Sequence, residues 1–371
     1  MFDFVETTAP SRAAPASVSL EDAAVARHDP ALCLMPGLFR YVDPATRDKS
    51  MTALRLTYEF GEYTIEVHNS APLGGDELAV LQGQLALAGA MNETFSPTGV
   101  LSEVEAQLVD GITSPATEEH KAMEVVDPLA HGNYSESNLL ELIGWQVCGA
   151  NRARARKAAQ RLATVVIIRY PTKKPREWTR YNLEALVHTN TQSRKWARTH
   201  VAFDPHVTSI LFGSNLRYTH VDMETVRRIG QDQCLGLLHQ RLSAWIDPGR
   251  TREVKLGTLL EYLFPDDEVS RFEDAARRSL DRNYAKLSAA DIKRQQLKML
   301  QDALNGLSQL PGWFAAPAAS LAYEYQDHLT DLENEAAEAE HNRACVTAAR
   351  RGKQDVLETL VTIKRAKLRK A

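Results

Sequence analysis

The 21 residues from Ala150 to Tyr170, ANRARARKAAQRLATVVIIRY, constrain the fold more than any other stretch of this chain. Five of the ten residues from 152 to 161 are basic, and the uncharged β-branched run Val165–Ile168 follows almost at once. At about 100° per residue, Ala155, Ala158, Ala159 and Leu162 fall on one side of a helix and the basic residues on the other. The pattern predicts an amphipathic helix over 151–163 that leads directly into a buried strand.

This cationic helix follows an acidic half of the chain. The formal net charge is only -4, but residues 1–150 carry 7 Lys and Arg against 22 Asp and Glu, and residues 151–200 carry 13 against 2. The remaining 171 residues balance at 24 of each sign. A positive field confined to one segment indicates a polyanionic partner, because attraction depends on local potential.

The cationic face suits the major groove, where Arg and Lys reach phosphates and Arg or Gln can reach base edges. An ordinary solvated helix face is the alternative. No acidic residue occurs between Glu141 and Glu177, so we expect the basic residues to lack local partners, and we favour double-stranded DNA. The predicted contacts are Arg152, Arg154, Arg156, Lys157, Gln160 and Arg161, with Lys173, Lys174 and Arg176 in the following loop.

A second helix, over 289–308, divides in a similar way. Ser288 and Asp291 form a capping-box pattern at its start. A wide apolar arc runs along one side, and an opposite polar stripe offers side chains suited to guanine and adenine. An exposed amphipathic face explains this helix equally well. Its predicted DNA contacts are Lys293, Arg294, Lys298, Gln301 and Asn305.

The order of elements predicts an α+β fold of two tandem winged-helix domains with a C-terminal helical tail. In the first half, a hairpin over 51–68 and a helix over 74–89 precede the helix opened by Ser135, the basic helix, a strand over 164–171, a basic loop and a strand over 195–205. The second half is predicted as a long helix (225–246), a short helix (255–264), the helix over 289–308 and a small hairpin (312–317 with 320–326).

We divide the chain accordingly. The predicted units are a flexible arm (1–27), a first winged-helix domain (28–204) with a polar insertion at about 91–132, a second winged-helix domain (205–326) and a helical tail (327–371). A further insertion at 266–286 lengthens the link before the last helix of the second domain.

Catalytic and metal-binding patterns are missing from the sequence. It contains no phosphate-binding loop, His-Glu-x-x-His or Gly-x-Ser-x-Gly motif, and its four cysteines form no Cys-x-x-Cys pair. No signal peptide and no run of eighteen apolar residues is present. We therefore expect no enzymatic activity, catalytic residue, metal or cofactor, no membrane association, and a cytoplasmic, bacterial protein.

Three blocks of sequence resemble a known family. They are HDPALCLMPGLFR (28–40), LTYEFGEYTIEVHNSAPLGGDELAVLQGQLALAG (56–89) and LGLLHQRLSAWIDPGRTREVKLGTLLEYLFP (235–265), with weaker likeness at the basic helix and at 307–313. The chain resembles the replication initiator (replication protein C) family of IncQ-type plasmids. The resemblance implies a DNA-binding protein of plasmid replication initiation that binds iterons at the origin, opens nearby AT-rich DNA for a plasmid helicase and primase, and self-associates as a dimer.

Two alternatives remain at this point. A winged-helix transcriptional repressor would bind an operator without opening DNA. A scaffold would instead recruit a helicase through the tail.

Overall fold

The fold is described by a computed structural model that covers residues 19, 21–44, 47, 53–113, 125–189, 198–213, 217–316 and 360–366. In these ranges, helices and small antiparallel sheets alternate in an α+β arrangement. The helices are α1 (Pro30–Leu34), α2 (Gly75–Met91), α3 (Glu103–Thr113), α4 (Glu136–Leu142), α5 (Gly149–Leu162), α6 (Pro205–Leu211), α7 (Met223–Ile229), α8 (Gln233–Trp245), α9 (Leu256–Leu263), α10 (Glu268–Leu280) and α11 (Ala289–Gln309). A short 3-10 helix covers Tyr284–Lys286.

Within the described residues, the strands form four groups of hydrogen-bonded neighbours. In chain order they are β1 (Val25–His28), β2 (Leu54–Phe60), β3 (Tyr63–Asn69), β4 (Glu93–Phe95), β5 (Leu129–Tyr134), β6 (Val166–Pro171), β7 (Thr179–Asn182), β8 (Glu184–Thr189), β9 (Arg198–Phe203), β10 (Thr219–Asp222), β11 (Thr251–Lys255), β12 (Trp313–Ala316) and β13 (Leu360–Arg365). The sheet orders are β1-β10, β2-β3-β6-β7, β4-β5-β9-β8 and β11-β13-β12. All of these strand pairs are antiparallel.

The central helix α2 is mostly apolar from Leu78 onward, and its residues from Asp76 to Ala88 are all buried. Other elements therefore surround it, and its buried charges, Asp76 and Glu77, require partners within the protein. One hydrophobic core extends from Ala23 to Ile363 and includes residues of both predicted domains. The predicted boundary between residues 204 and 205 therefore does not divide the core.

Several elements of the first half differ from the sequence-based expectation. Residues 25–27, placed in the predicted arm, belong to β1, which pairs with β10 far along the chain. The predicted polar insertion at 91–132 contains β4, α3 and the start of β5, and α3 has its own small core with Leu108 and Ile112 fully buried. The hairpin β2-β3 and the helices α2, α4 and α5 are confirmed.

The two strands predicted after the basic helix do not pair with each other. The strand β6 pairs with β3 and β7, whereas the strand within 195–205, β9, pairs with β5 and β8. Two intervening strands, β7 and β8, lie in a stretch whose polar and apolar residues do not alternate cleanly. The basic loop at 172–178 therefore connects β6 to β7.

The second half also corrects the sequence-based expectation. The predicted long helix over 225–246 is two helices, α7 and α8, because Gly230 has a positive φ of 60° and ends the first. The link at 266–286 contains α10. Within the predicted helical tail, residues 360–365 form β13, the central strand between β11 and β12. The predicted strand at 320–326 lies outside the described residues.

No described helix is long and apolar enough to span a membrane.

Candidate nucleic-acid interface

The helices α4 and α5 form a helix-turn-helix whose turn is fixed against α7. Ser135 caps α4 by accepting a hydrogen bond from the Asn138 amide at 3.2 Å, as the sequence indicated. The turn passes through Gly144, where φ is 75° and a Cβ atom would lie 2.1 Å from the Arg227 carbonyl oxygen. Only glycine permits this approach. The Trp145 indole then donates to the Gly230 carbonyl at 3.1 Å, which anchors the turn to the second half.

The predicted packing face of α5 is confirmed. Ala155, Ala158, Ala159 and Leu162 are all buried. This face packs against α2 and α4. Small side chains let helix backbones approach closely, so α5 is held firmly while its opposite face stays at the surface.

Two of the predicted DNA contacts are occupied within the protein. Arg154 contacts Asp76 through Nε at 2.6 Å and Nη2 at 2.5 Å, and Arg161 Nε lies 2.6 Å from Glu77 Oε1. The Asp76 and Glu77 side chains are 6% and 0% exposed, and Arg47 also pairs with both. Buried charges need such partners.

The expectation that the basic residues lack acidic partners was therefore wrong. The acids come from the start of α2, more than seventy residues earlier, and from Glu136 in the preceding helix. Sequence distance hid them, because the first turn of α2 lies beside α5 only in the folded chain.

A cationic surface nevertheless remains on α5. Arg152, Arg156, Lys157 and Gln160 are exposed. The Arg156 guanidinium lies 2.6 Å from Glu136, and Arg152 donates to the Ser137 hydroxyl at 3.0 Å. Exposed pairs of this kind stabilise by about 0–1 kcal/mol, so they can be exchanged for phosphate. We call these four residues the α5 surface.

The loop between β6 and β7 adds three exposed cations. Lys173, Lys174 and Arg176 all lie at the surface, and Lys174 pairs with Glu177 at 2.9 Å in a local contact. The neighbouring Trp178 side chain is 38% exposed. The structure thus places the predicted loop residues on a short β-hairpin that follows α5.

The predicted contacts on α11 have a different environment. The capping box of Ser288 with Asp291 is confirmed. Arg294 pairs with that same Asp291 at 2.8 Å, and Lys293 lines a cavity of about 440 Å³ beside α10. Lys298 and Asn305 are exposed, and Gln301 is half-buried.

Acidic residues share the outer arc of α11. On a helical projection Asp302 lies beside Lys298 and is also exposed. The α11 face therefore mixes both signs of charge, whereas α5 carries no acidic residue. Of the two helices, α5 has the arrangement better suited to DNA.

A buried charge network, missed from the sequence, supports the hairpin. Arg169 of β6 contacts Asp29 at 3.2 Å and Asp204 at 3.3 Å, and these two acids cap α1 and α6. Burial alone would raise the pKa of Asp29, but the hydrogen bond from His206 and the charge of Arg169 hold it well below its usual range. The sequence signal that could have revealed this network is Arg169, the single charge in the apolar run VVIIRY, because a buried cation requires buried anions.

The described ranges contain no group of three His, Cys, Asp or Glu side chains placed to hold a metal ion. What the arrangement offers is a cationic helix surface and a basic hairpin. A helix-turn-helix that presents a basic second helix is typical of DNA-binding proteins.

A comparison with known protein families identifies the family of the chain. A sequence model of replication protein C (RepC) matches residues 20–295. The chain therefore belongs to the replication protein C family, and this membership supports a role in replication initiation. No curated protein shows significant sequence similarity to the chain.

Two crystal structures of domains 2 and 3 of RctB are similar in part. One, of selenomethionine derivatives, has a TM-score of 0.44 and 13% identity over 78% of this chain and 90% of the other. The second has a TM-score of 0.37 and 14% identity, and the match covers 68% of this chain and 83% of the other. These values are too low to assign a fold by similarity.

Proposed function

We propose that this protein is a plasmid replication initiator that binds duplex DNA repeats at its origin through the α5 surface. The observation that carries the proposal is the exposed face of α5, which carries three cations and no acidic residue of its own, on a helix whose other faces are tied to α2. Family membership supplies the biological context.

The start of α5 adds to its attraction for phosphate. Its first turn contains no acidic residue, and its N-cap, Cys148, makes no side-chain hydrogen bond to the backbone. Free amides and the helix dipole leave partial positive charge there. Arg152, Arg156 and Lys157 then provide phosphate contacts, and Gln160 suits adenine.

We also propose that each half of the chain contains a winged-helix unit. In the first half, β6, the basic loop and β7 follow α5 as a wing follows a recognition helix. In the second half, α8, β11, α9, α11, β12 and β13 follow one another as in a winged helix, with α10 inserted between α9 and α11, and the sheet order β11-β13-β12 supports this assignment. We propose two such units, with Lys298 and Asn305 as secondary contacts.

The proposed mechanism needs no catalysis or cofactor. Binding of several copies to iterons bends the DNA and lowers the cost of opening an adjacent AT-rich segment, because repeats hold the copies at high effective concentration. The open segment then admits a helicase and a primase. On this proposal the protein acts in the bacterial cytoplasm.

The salt dependence of binding tests the α5 surface. Each phosphate that a cation neutralises contributes a slope of about 0.9 to log K against log salt, so R152A/R156A/K157A should flatten the slope by about 2.7. A matched control, R55A/R250A/R252A, removes three exposed cations elsewhere. The control should keep the wild-type slope with duplex DNA from the region flanking the gene.

An unchanged slope for the α5 triple variant would refute phosphate contact by this surface. Opening is tested separately, by permanganate footprinting of supercoiled plasmid that carries the flanking DNA. Reactive thymines should appear with the wild-type protein and disappear with the triple variant. Binding without reactive thymines would favour a repressor.

A further inference from the structure

The helix α10 has one face fixed to the protein and another that nothing in the described structure covers. On the inner face, Asp267 contacts the buried Arg40 at 2.7 Å and Arg277 contacts Asp43 at 2.7 Å. On the outer face, the Phe272 and Leu280 side chains are 53% and 46% exposed. Two ion pairs thus tie this helix to residues 40–43, while it presents two large apolar groups to solvent.

The outer face has the pattern of a helix that pairs with another helix. Phe272, Ala276 and Leu280 are spaced at i, i+4 and i+8, which places them along one side. A small residue between two large ones lets a second helix cross closely at the centre. Ala275, next to this row, is also exposed.

Two exposed acids lie at the start of α10 and two exposed cations lie just beyond its end, although Arg271 pairs with Asp266 at 3.5 Å near the start. Asp266 and Glu268 are exposed at its start, and Arg282 and Lys286 are exposed just beyond its end. An antiparallel pair of identical helices, with its two-fold axis near Ala276, would set Phe272 against Leu280 of the other copy. The same arrangement would set the acidic end of each helix beside the basic end of the other.

We propose that α10 is a self-association surface, which binds α10 of a second copy of this chain in an antiparallel, two-fold arrangement. Such an interface is isologous, so each apolar and each charged contact occurs twice. Parallel pairing would bring like charges together and is disfavoured.

The size of the surface limits the strength of the pair. A helix of 13 residues is about 20 Å long. A single pair of such helices buries less surface area than the roughly 1,200 Å² typical of stable interfaces. Association in free solution is therefore weak. If the proposed function holds, neighbouring repeats raise the effective concentration, and the same contact makes binding to adjacent sites cooperative.

The test uses the full-length chain without DNA, so its result does not depend on the proposed function. In a background with Cys148 and Cys345 replaced by Ser, A275C is treated with a short bismaleimide crosslinker at high micromolar protein concentration. A106C, on the exposed side of α3, is the matched control. A crosslinked dimer should form at A275C at least tenfold more than at A106C, and F272E/L280E should abolish it.

Charge exchange then distinguishes a specific pair from nonspecific contact. D266K/E268K and R282E/K286E should each reduce crosslinking several-fold, and the combined variant, with all four changes, should restore it. Equal crosslinking at A275C and A106C, or no restoration by the combined variant, would overturn the proposal. Circular dichroism checks that each variant is folded.

Discussion

Arg161 provides the sharpest separation between structural and DNA-binding roles on α5. Its guanidinium pairs with Glu77, whose side chain is 0% exposed and which also accepts a hydrogen bond from the Gly74 amide at 2.8 Å. Breaking a buried pair by removing one partner costs about 3–5 kcal/mol, because the other charge stays buried. Arg47 still contacts Glu77 in this variant, so the cost lies at the lower end of this range. We expect R161M to lower the free energy of unfolding by about 3 kcal/mol.

The measurement is urea unfolding followed by circular dichroism, with R152A as the control. Arg152 is exposed, and its replacement should change stability by less than about 0.5 kcal/mol. E77Q keeps an acceptor for Gly74 but removes the buried charge, so R161M/E77Q should be more stable than the sum of the two single effects predicts.

DNA binding, measured well below the unfolding transition, completes the test. R161M should keep the wild-type slope of log K against log salt, whereas the slope of R152A should be smaller by about 0.9. If R161M were as stable as the wild type and lost DNA affinity as R152A does, the internal role assigned to Arg161 would be refuted.

Three further predictions concern groups that support the site. Burial raises the pKa of Glu184 to about 8, so the native state keeps a proton that the unfolded state releases near pH 4.5. The free energy of unfolding of the wild type should therefore fall relative to that of E184Q between pH 5 and 8, by up to about 1.4 kcal/mol per pH unit. Parallel pH profiles of the two proteins would contradict this. G144A should destabilise by about 3 kcal/mol or more, against about 1 kcal/mol for G61A, where no atom lies within 4 Å of the added Cβ; equal thermal shifts would disprove the close approach to Arg227. R365A removes donors to the buried carbonyls of Ser243 and Ile246 at 2.8 and 3.0 Å and should lower the free energy of urea unfolding by about 2 kcal/mol. No loss would show that these two hydrogen bonds do not stabilise the fold.

Local patterns predicted the elements that carry their own signal. The alternation around Gly61, the capping residues Ser135 and Ser288, and the two faces of α5 all follow from neighbouring residues, and the structure confirms them. Strong periodicity identifies an element because burial of one face is enough to form it.

Other elements could not be predicted, because their partners are distant. The strand β13 is recognisable only beside β11 and β12, which are separated from it by many residues. In the helix-favouring sequence around it, tertiary pairing overrides local propensity. Gly230 is a comparable case, since a single glycine within a helical pattern is often tolerated.

By itself, the sequence determined that α5 has an alanine face and a basic face, since both follow from residue type at 100° intervals. Only the tertiary structure decided which basic residues remain exposed. It placed Asp76 and Glu77, buried at the start of α2, against Arg154 and Arg161, and left Arg152, Arg156 and Lys157 at the surface. The physical reason is that burying a carboxylate requires a cation nearby, and the chain meets that requirement with residues that sequence alone assigns to DNA.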